Sequence, residues 1–215
     1  MSKMLNKTTT NPARPAPAPL SRTLVLASTS RYRKALLDRL ELPFAVAAPG
    51  ADETAFPGES PAATAIRLAE AKARAVAGSF PDALIIGSDQ VADCDGDPVG
   101  KPGDHRRATA QLARLSGRTV VFHTGLALLD TRSGQLQTAL IDVRSRFRAL
   151  SAAEIESYLR REQPYDCAGS VRSEALGIAL FEAIDSDDPT ALIGLPLIRL
   201  TTMLRAAGVS VLGAR

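Results

Sequence analysis

Residues 24–40 read LVLASTSRYRKALLDRL. The apolar run Leu24–Ala27 predicts a strand, Ser28-Thr29-Ser30 a tight turn, and the stretch from Arg31 to Leu40 a helix whose first turn carries Arg31, Arg33 and Lys34. A strand passing through a short turn into a helix is the opening of an α/β chain. A helix N-terminus offers unpaired backbone N–H groups and partial positive charge. Ser28, Ser30, Arg33 and Lys34 are therefore a candidate phosphate cradle. The same residues also fit an ordinary helix capped by Ser30 with surface cations.

Working outward, the run before Leu24 is rich in Thr, Asn, Pro and Ala and lacks an apolar core like that of a signal peptide. It predicts a flexible tail over residues 1–22 and one folded domain over 23–215. The chain has 215 residues, 45% of them hydrophobic, enough for a sizeable core. A net charge of +3 and a pI near 9.1 owe much to Lys3, Lys7, Arg14 and Arg22 in that tail. With no Trp and 4% aromatics, neither a basic nucleic-acid face nor a base-stacking platform is indicated. Cys94 and Cys167 stand far apart and outside any CxxC pair, which argues against a zinc knuckle or a disulfide framework. No segment has the length and apolarity of a membrane span. A cytoplasmic location and a small anionic ligand are the expectations, and the sequence leaves a homodimer open.

Along the chain, Pro43–Ala48 predicts a short strand and Pro49–Thr54 an acidic loop. Ser60-Pro61 starts a helix that Gly78 ends, with Lys72 inside it among alanines. Ala83–Val91 predicts a buried strand ending in Gly87-Ser88-Asp89-Gln90, where α/β sheets keep functional acids. Asp95-Gly96 gives a hairpin turn, and Lys101 follows in Gly100-Lys101-Pro102. Asp104 caps a helix to about Leu115. Arg118–Asp130 and Gln135–Arg148 predict a long antiparallel hairpin. Ser151 and Glu154 form a capping box for a helix to about Arg161. Beyond Cys167–Glu174, a small-residue loop with one acid, come a strand near Ile178–Phe181 and a helix from Leu197 to about Ala207. Asp185–Asp188 reads as a solvated turn, and His105 and His123 as packing or surface residues.

The candidate ligand groups thus come from separate segments: the Ser28–Lys34 cluster, Glu53, Lys72, Asp89, Lys101 and Glu174. Carboxylates and lysines at loop and strand ends suit metal-assisted phosphoryl transfer, in which oxygen ligands hold Mg²⁺ or Mn²⁺ and cations neutralise phosphate oxygens.

The ordered motifs ASTSRYRKALL, ADET, RLAEAKA, IIGSDQV, GKP, CAGSVRSE and GLPL resemble the Maf family of nucleoside triphosphate pyrophosphatases, and the resemblance covers everything after the tail. It implies an elongated mixed central sheet flanked by helices, with a cleft between two lobes. It implies Asp89 as proton acceptor and metal ligand, Glu53 as metal ligand, and Ser28, Arg33, Lys72 and Lys101 around the phosphates. Tyr32, Gln90 and Glu174 match positions of base selection that are typically Arg, Thr and Gln in the subgroup acting on dTTP and UTP. This chain has the set of the 7-methyl-GTP subgroup, which would clear modified nucleotides. Tyr32 stands where Trp is more usual, Arg31 where Pro often stands, and Ala175 where Gly is usual. Alternatives are a broad-specificity or dTTP/UTP pyrophosphatase, or a nucleotide-binding regulator of cell division.

Overall fold

The computed structural model describes residues 22–212. The tail expected over residues 1–22 lies, all but Arg22, outside the described residues. Seven strands form one mixed sheet in the order β2-β1-β3-β5-β6-β7, with β4 paired to the far end of β3. They are β1 (Thr23–Ala27), β2 (Ala45–Ala47), β3 (Ala83–Cys94), β4 (Asp97–Val99), β5 (Thr119–Asp130), β6 (Leu136–Phe147) and β7 (Phe181–Asp185). β1 runs parallel to β2 and β3, and the remaining pairs are antiparallel. The helices are α1 (Arg31–Asp38), α2 (Pro61–Ala77), α3 (His105–Leu115), α4 (Ala152–Glu162) and α5 (Leu197–Ala206). None of the described helices is long and apolar enough to cross a membrane.

Four of the helices begin where the sequence places their caps. Ser30, Ser60, Asp104 and Ser151 each accept a backbone N–H three residues on, and Glu154 completes the capping box with Ser151. α5 has no local cap, because Pro196 holds that position. Its N-terminal N–H groups at Ile198 and Arg199 instead donate to Asp188 Oδ2, at 2.7 and 3.2 Å, while Asp188 Oδ1 accepts from Thr190. Asp188 is buried, so the solvated turn expected over Asp185–Asp188 is corrected: Asp185 ends β7 and Asp188 caps a helix from ten residues away.

A second correction concerns Ile178–Phe181. Leu176–Leu180 forms a 3-10 turn, and the strand begins only at Phe181. Gly177 explains the difference, since its Cα passes so close to the Arg172 backbone that a methyl group there would lie 2.5 Å from the Arg172 carbonyl oxygen.

The core divides by sheet face. Leu24, Leu26, Leu84, Ile86, Leu126 and Leu128 pack against α1 and α5. Val25, Ala27, Ile85, Ala127 and Leu129 face α2 through Ala69, Ala73 and Val76. A third cluster, around Phe122, Phe147, Leu112, Leu115 and Leu159, joins the other end of the long strands to α3 and α4. The first two clusters cover opposite faces of one end of the sheet, and the third lies at the other end of the long strands.

α2 lies unusually close to the sheet. A methyl carbon added at Gly87 would fall 2.0 Å from the Ala69 carbonyl oxygen, and one at Gly125 2.1 Å from that of Ala65. Helix backbone against strand backbone needs glycine on the strand and alanine on the helix. Gly87→Ala is expected to lower unfolding free energy by about 3 kcal/mol, read by urea denaturation; a wild-type midpoint would show that α2 is not held this tightly.

Candidate active site

Strand alternation and the seating of α2 together place the central pair. Gly87 and Asp89 are two apart on β3 and so share the face covered by α2, and Lys72 lies three residues beyond Ala69 on the same side of that helix. Lys72 Nζ lies 2.6 Å from Asp89 Oδ1 and 2.6 Å from Glu53 Oε1. Lys72 and Asp89 are buried, whereas the Glu53 side chain is 57% exposed. Burial tends to raise the Glu53 carboxyl, but the hydrogen bond and charge of Lys72, helped by Lys101 and Arg33, hold it below the usual carboxylate range.

Asp89 also sits where β3 changes neighbours. β1 pairs with β3 only as far as Ile86, and β4 joins it only from Ala92. Between those points neither β1 nor β4 reaches that edge of β3, and the chain opens into a cleft of about 820 Å³. A break of this kind at strand ends is where open α/β sheets bind ligands.

α1 supplies Arg33 to the same cleft. Its Nε donates to the Gly194 carbonyl at 2.8 Å, and no carboxylate among the described residues lies within ion-pair distance of it. Burial pulls this guanidinium below its ordinary range against the opposite pull of the Asp89 and Glu53 charges. With Nε occupied, its terminal N–H groups are left to face the cleft. A deep cation without a carboxylate partner is costly unless an anion completes it.

The neighbouring hydroxyls serve the same turn. Ser28 Oγ accepts from Ser30 N at 3.1 Å, and Ser30 Oγ accepts from Arg33 N. Both line the cleft, as do Tyr32, Lys101, Gln90 and Glu174. Lys34 does not. Standing about 100° round the helix from Arg33, it is exposed and paired with Asp38 at 2.9 Å, so its expected place in the phosphate cradle is corrected.

At the other end of the cleft, the Tyr32 ring has the guanidinium carbons of Arg31 and Arg172 at 4.8 and 5.7 Å from its centroid. Arg172 pairs with Glu162 at 2.6 Å and, more loosely, with Glu174 at 3.4 Å. Tyr158 pins the intervening loop, donating to the Ser170 carbonyl and accepting from Arg172 N, both at 3.1 Å. Cys167 faces the same region, but burial pushes its thiol up to about 12, so at neutral pH it is not a thiolate nucleophile.

Several contributors leave little trace in the sequence. Arg67 pairs with Glu59 at 2.6 Å, donates to the Thr54 carbonyl and lies 4.0 Å over the Phe56 ring, which fastens the loop that carries Glu53. Its hydrogen bond to Glu59 is the main reason that carboxyl is pushed down to about 2. Glu59 just before the Ser60 cap is the one available signal. Ser88, Thr124 and the carbonyls of 191–194 carry no such mark, since small polar residues in strands are common.

An open mixed sheet with a cleft at the break in its strand pairing, lined by an acid–lysine–acid cluster and an anion-seeking guanidinium, defines an α/β protein built to hold a polyanion. The family model described as Maf-like protein matches residues 23–207, and the chain belongs to that family. It is 59% identical over 215 residues to the 7-methyl-GTP pyrophosphatase of Polaromonas sp. (strain JS666), a match covering all of this chain and 98% of the relative. It is 57% identical over 196 residues to that of Albidiferax ferrireducens, covering 91% and 98%. It is 61% identical over 194 residues to that of Burkholderia pseudomallei (strain K96243), covering 89% and 90%.

The charge balance around Lys72 is open to direct test. In Lys72→Met the Glu53 carboxyl is expected to titrate at higher pH than in wild type, followed by its carbon-13 shift. Because the folded value is depressed, the stability this carboxylate contributes is present above its unfolded value and lost as pH falls through the folded one. An unchanged Glu53 titration would remove Lys72 as the cause.

Proposed function

We propose that this protein is a nucleotide pyrophosphatase that hydrolyses 7-methyl-GTP to 7-methyl-GMP and pyrophosphate. The observation that carries the reading is that Arg33, without a carboxylate in ion-pair distance among the described residues, lines the same cleft as the Glu53–Lys72–Asp89 cluster. Such an arrangement binds a phosphate chain and presents a carboxylate to a water molecule beside it.

Asp89 is the proton acceptor. As the water oxygen bonds to the α-phosphorus, its proton passes to the Asp89 carboxylate. The bond from that phosphorus to the bridging oxygen breaks, and pyrophosphate leaves with the electron pair. Arg33, Lys72 and Lys101 stabilise charge growing on the phosphate oxygens. Ser28 and Ser30, together with the start of α1, hold the remaining oxygens by hydrogen bonds.

Glu53 and Asp89 each lie 2.6 Å from Lys72 Nζ, so the ammonium holds that point, but the two carboxylates are close enough together for their other oxygens to share an ion beside it. This suits Mg²⁺ or Mn²⁺, which take one or two carboxylates and complete their shell with phosphate oxygens and water. No cluster of three or more His, Cys, Asp or Glu side chains among the described residues offers a full protein cage. Bound there, the ion would supply Lewis-acid charge neutralisation, while the steps above stay with the side chains.

Base selection rests on Tyr32, Gln90 and Glu174. A 7-methylated guanine is cationic, and the Tyr32 face would attract it by about 0.5–2 kcal/mol. Arg31 lies 4.8 Å from the centroid of that ring in the free protein, donating to the Tyr32 hydroxyl at 2.7 Å, but it is exposed and already stands 3.7 Å from Asp166. The base displaces Arg31 onto that carboxylate. Glu174 accepts from the N1–H and 2-amino edge, and its charge complements the cationic base.

Assayed side by side, 7-methyl-GTP is expected to show the highest kcat/KM among 7-methyl-GTP, GTP, dTTP and UTP; equal or better turnover of UTP or dTTP would reverse the assignment. Asp89→Asn, with its fold verified by circular dichroism, is expected to lose about 10²–10⁴-fold in kcat. Wild-type turnover in that variant would remove Asp89 from its role.

A further inference from the structure

The faces of β3 divide the site. Asp89 turns toward α2, while Ser88 and Gln90, on either side of it, turn toward the segment 191–194. The Gln90 side-chain nitrogen lies 2.8 Å from the Ala191 carbonyl, 3.1 Å from the Leu192 carbonyl and 3.0 Å from Thr124 Oγ1. The carbonyls have no proton to give. Thr124, fully buried, spends its own proton on the Ala191 carbonyl at 3.0 Å, so toward Gln90 it too is an acceptor. The chemistry of these neighbours therefore fixes which way the amide points. Its nitrogen must face the protein, and its oxygen, to which no protein group among the described residues donates, is left to the cleft that Gln90 lines.

We propose that Thr124, which does not line the cleft, is a positioning residue for base selection: as a third acceptor beside the Ala191 and Leu192 carbonyls it tightens the hold on the Gln90 amide so that only an acceptor is displayed to the base. This rests on the functional reading given for the site. Glu174 likewise only accepts. Two acceptors suit the N1–H and 2-amino donors of guanine. They oppose the O2 and O4 acceptors of uracil, which a freely turning amide would satisfy through its NH₂ group. The selectivity is enforced from behind, because an amide that could flip would serve either kind of base.

The structure also provides the control. Ser88 is equally buried and touches the other end of the same segment, its single hydroxyl proton shared between the Gly194 and Gly125 carbonyls at 2.9 Å each, but Gly194 serves Arg33 and not Gln90. Loosening the segment there disturbs phosphate binding without releasing the amide.

The test compares wild type, Thr124→Val, Thr124→Ser and Ser88→Ala with 7-methyl-GTP and UTP. In Thr124→Val the ratio of kcat/KM for 7-methyl-GTP to that for UTP is expected to fall about fivefold to tenfold, the scale of one hydrogen bond. Thr124→Ser restores it, and Ser88→Ala lowers both substrates together. An unchanged ratio in Thr124→Val, or the same change in Ser88→Ala, overturns the proposal. A second readout needs no substrate. In nitrogen-15-labelled wild-type protein the Gln90 side-chain amide protons are expected to exchange far more slowly than those of an exposed glutamine, and exchange at the exposed rate overturns the proposal outright. Should wild type not hydrolyse 7-methyl-GTP at all, the functional reading fails, while the exchange rates of wild type and Thr124→Val compared still decide the role of Thr124: faster exchange in the variant is expected, and an equal rate overturns the proposal.

Discussion

The distance between α2 and the sheet governs the rest of this molecule. Ala65 and Ala69 bring helix backbone against Gly87 and Gly125, so the helix sits closer than side chains normally allow. At that distance a lysine three residues along reaches a carboxylate two residues along the strand, and Lys72 meets Asp89 in a buried ion pair. A buried pair of this kind is weak evidence for stability. Its value here lies in fixing where the carboxylate stands, and the exposed Glu53 joins it from a loop that Arg67 keeps in place.

Because successive residues of a strand face opposite ways, one tripeptide supplies both halves of the site. Asp89 works with α2 and the acidic loop, while Ser88 and Gln90 hold 191–194, which in turn orients Arg33 through the Gly194 carbonyl. Gly194 accepts that role with φ at +115°, a conformation that costs glycine little. The missing stretch of strand pairing along one edge between Ile86 and Ala92 leaves Asp89 and Gln90 lining the cleft, with Ser88 buried behind them.

What was legible in the sequence was what local chemistry dictates. The caps at Ser30, Ser60, Asp104 and Ser151 act within three residues, and the strand alternation and the turn at 131–134 are equally short-ranged. The long hairpin of β5 and β6 followed from these, and the family resemblance gathered residues from segments far apart. Lys34 shows the limit of a motif: it adjoins Arg33 in sequence, yet one helical step turns it to solvent and Asp38. Leu176–Leu180 shows another, since its apolar run reads as a strand until Gly177 meets the Arg172 backbone. Asp188 was illegible because the helix it caps begins about ten residues on and its burial depends on the whole fold.

That clamp has a further consequence for how this chain can vary in length. By binding Thr190 on one side and Ile198 with Arg199 on the other, Asp188 closes residues 188–198 into a ring. The ring contains the carbonyls that steer both Gln90 and Arg33, so one residue gained or lost inside it would shift their spacing with no slack to absorb the change. Length variation is far easier to accommodate in the exposed turn between β5 and β6, at the opposite end of those strands. The ring thus acts as a fixed gauge block between Gln90 and Arg33, and its residue count sets their spacing as much as any side chain does.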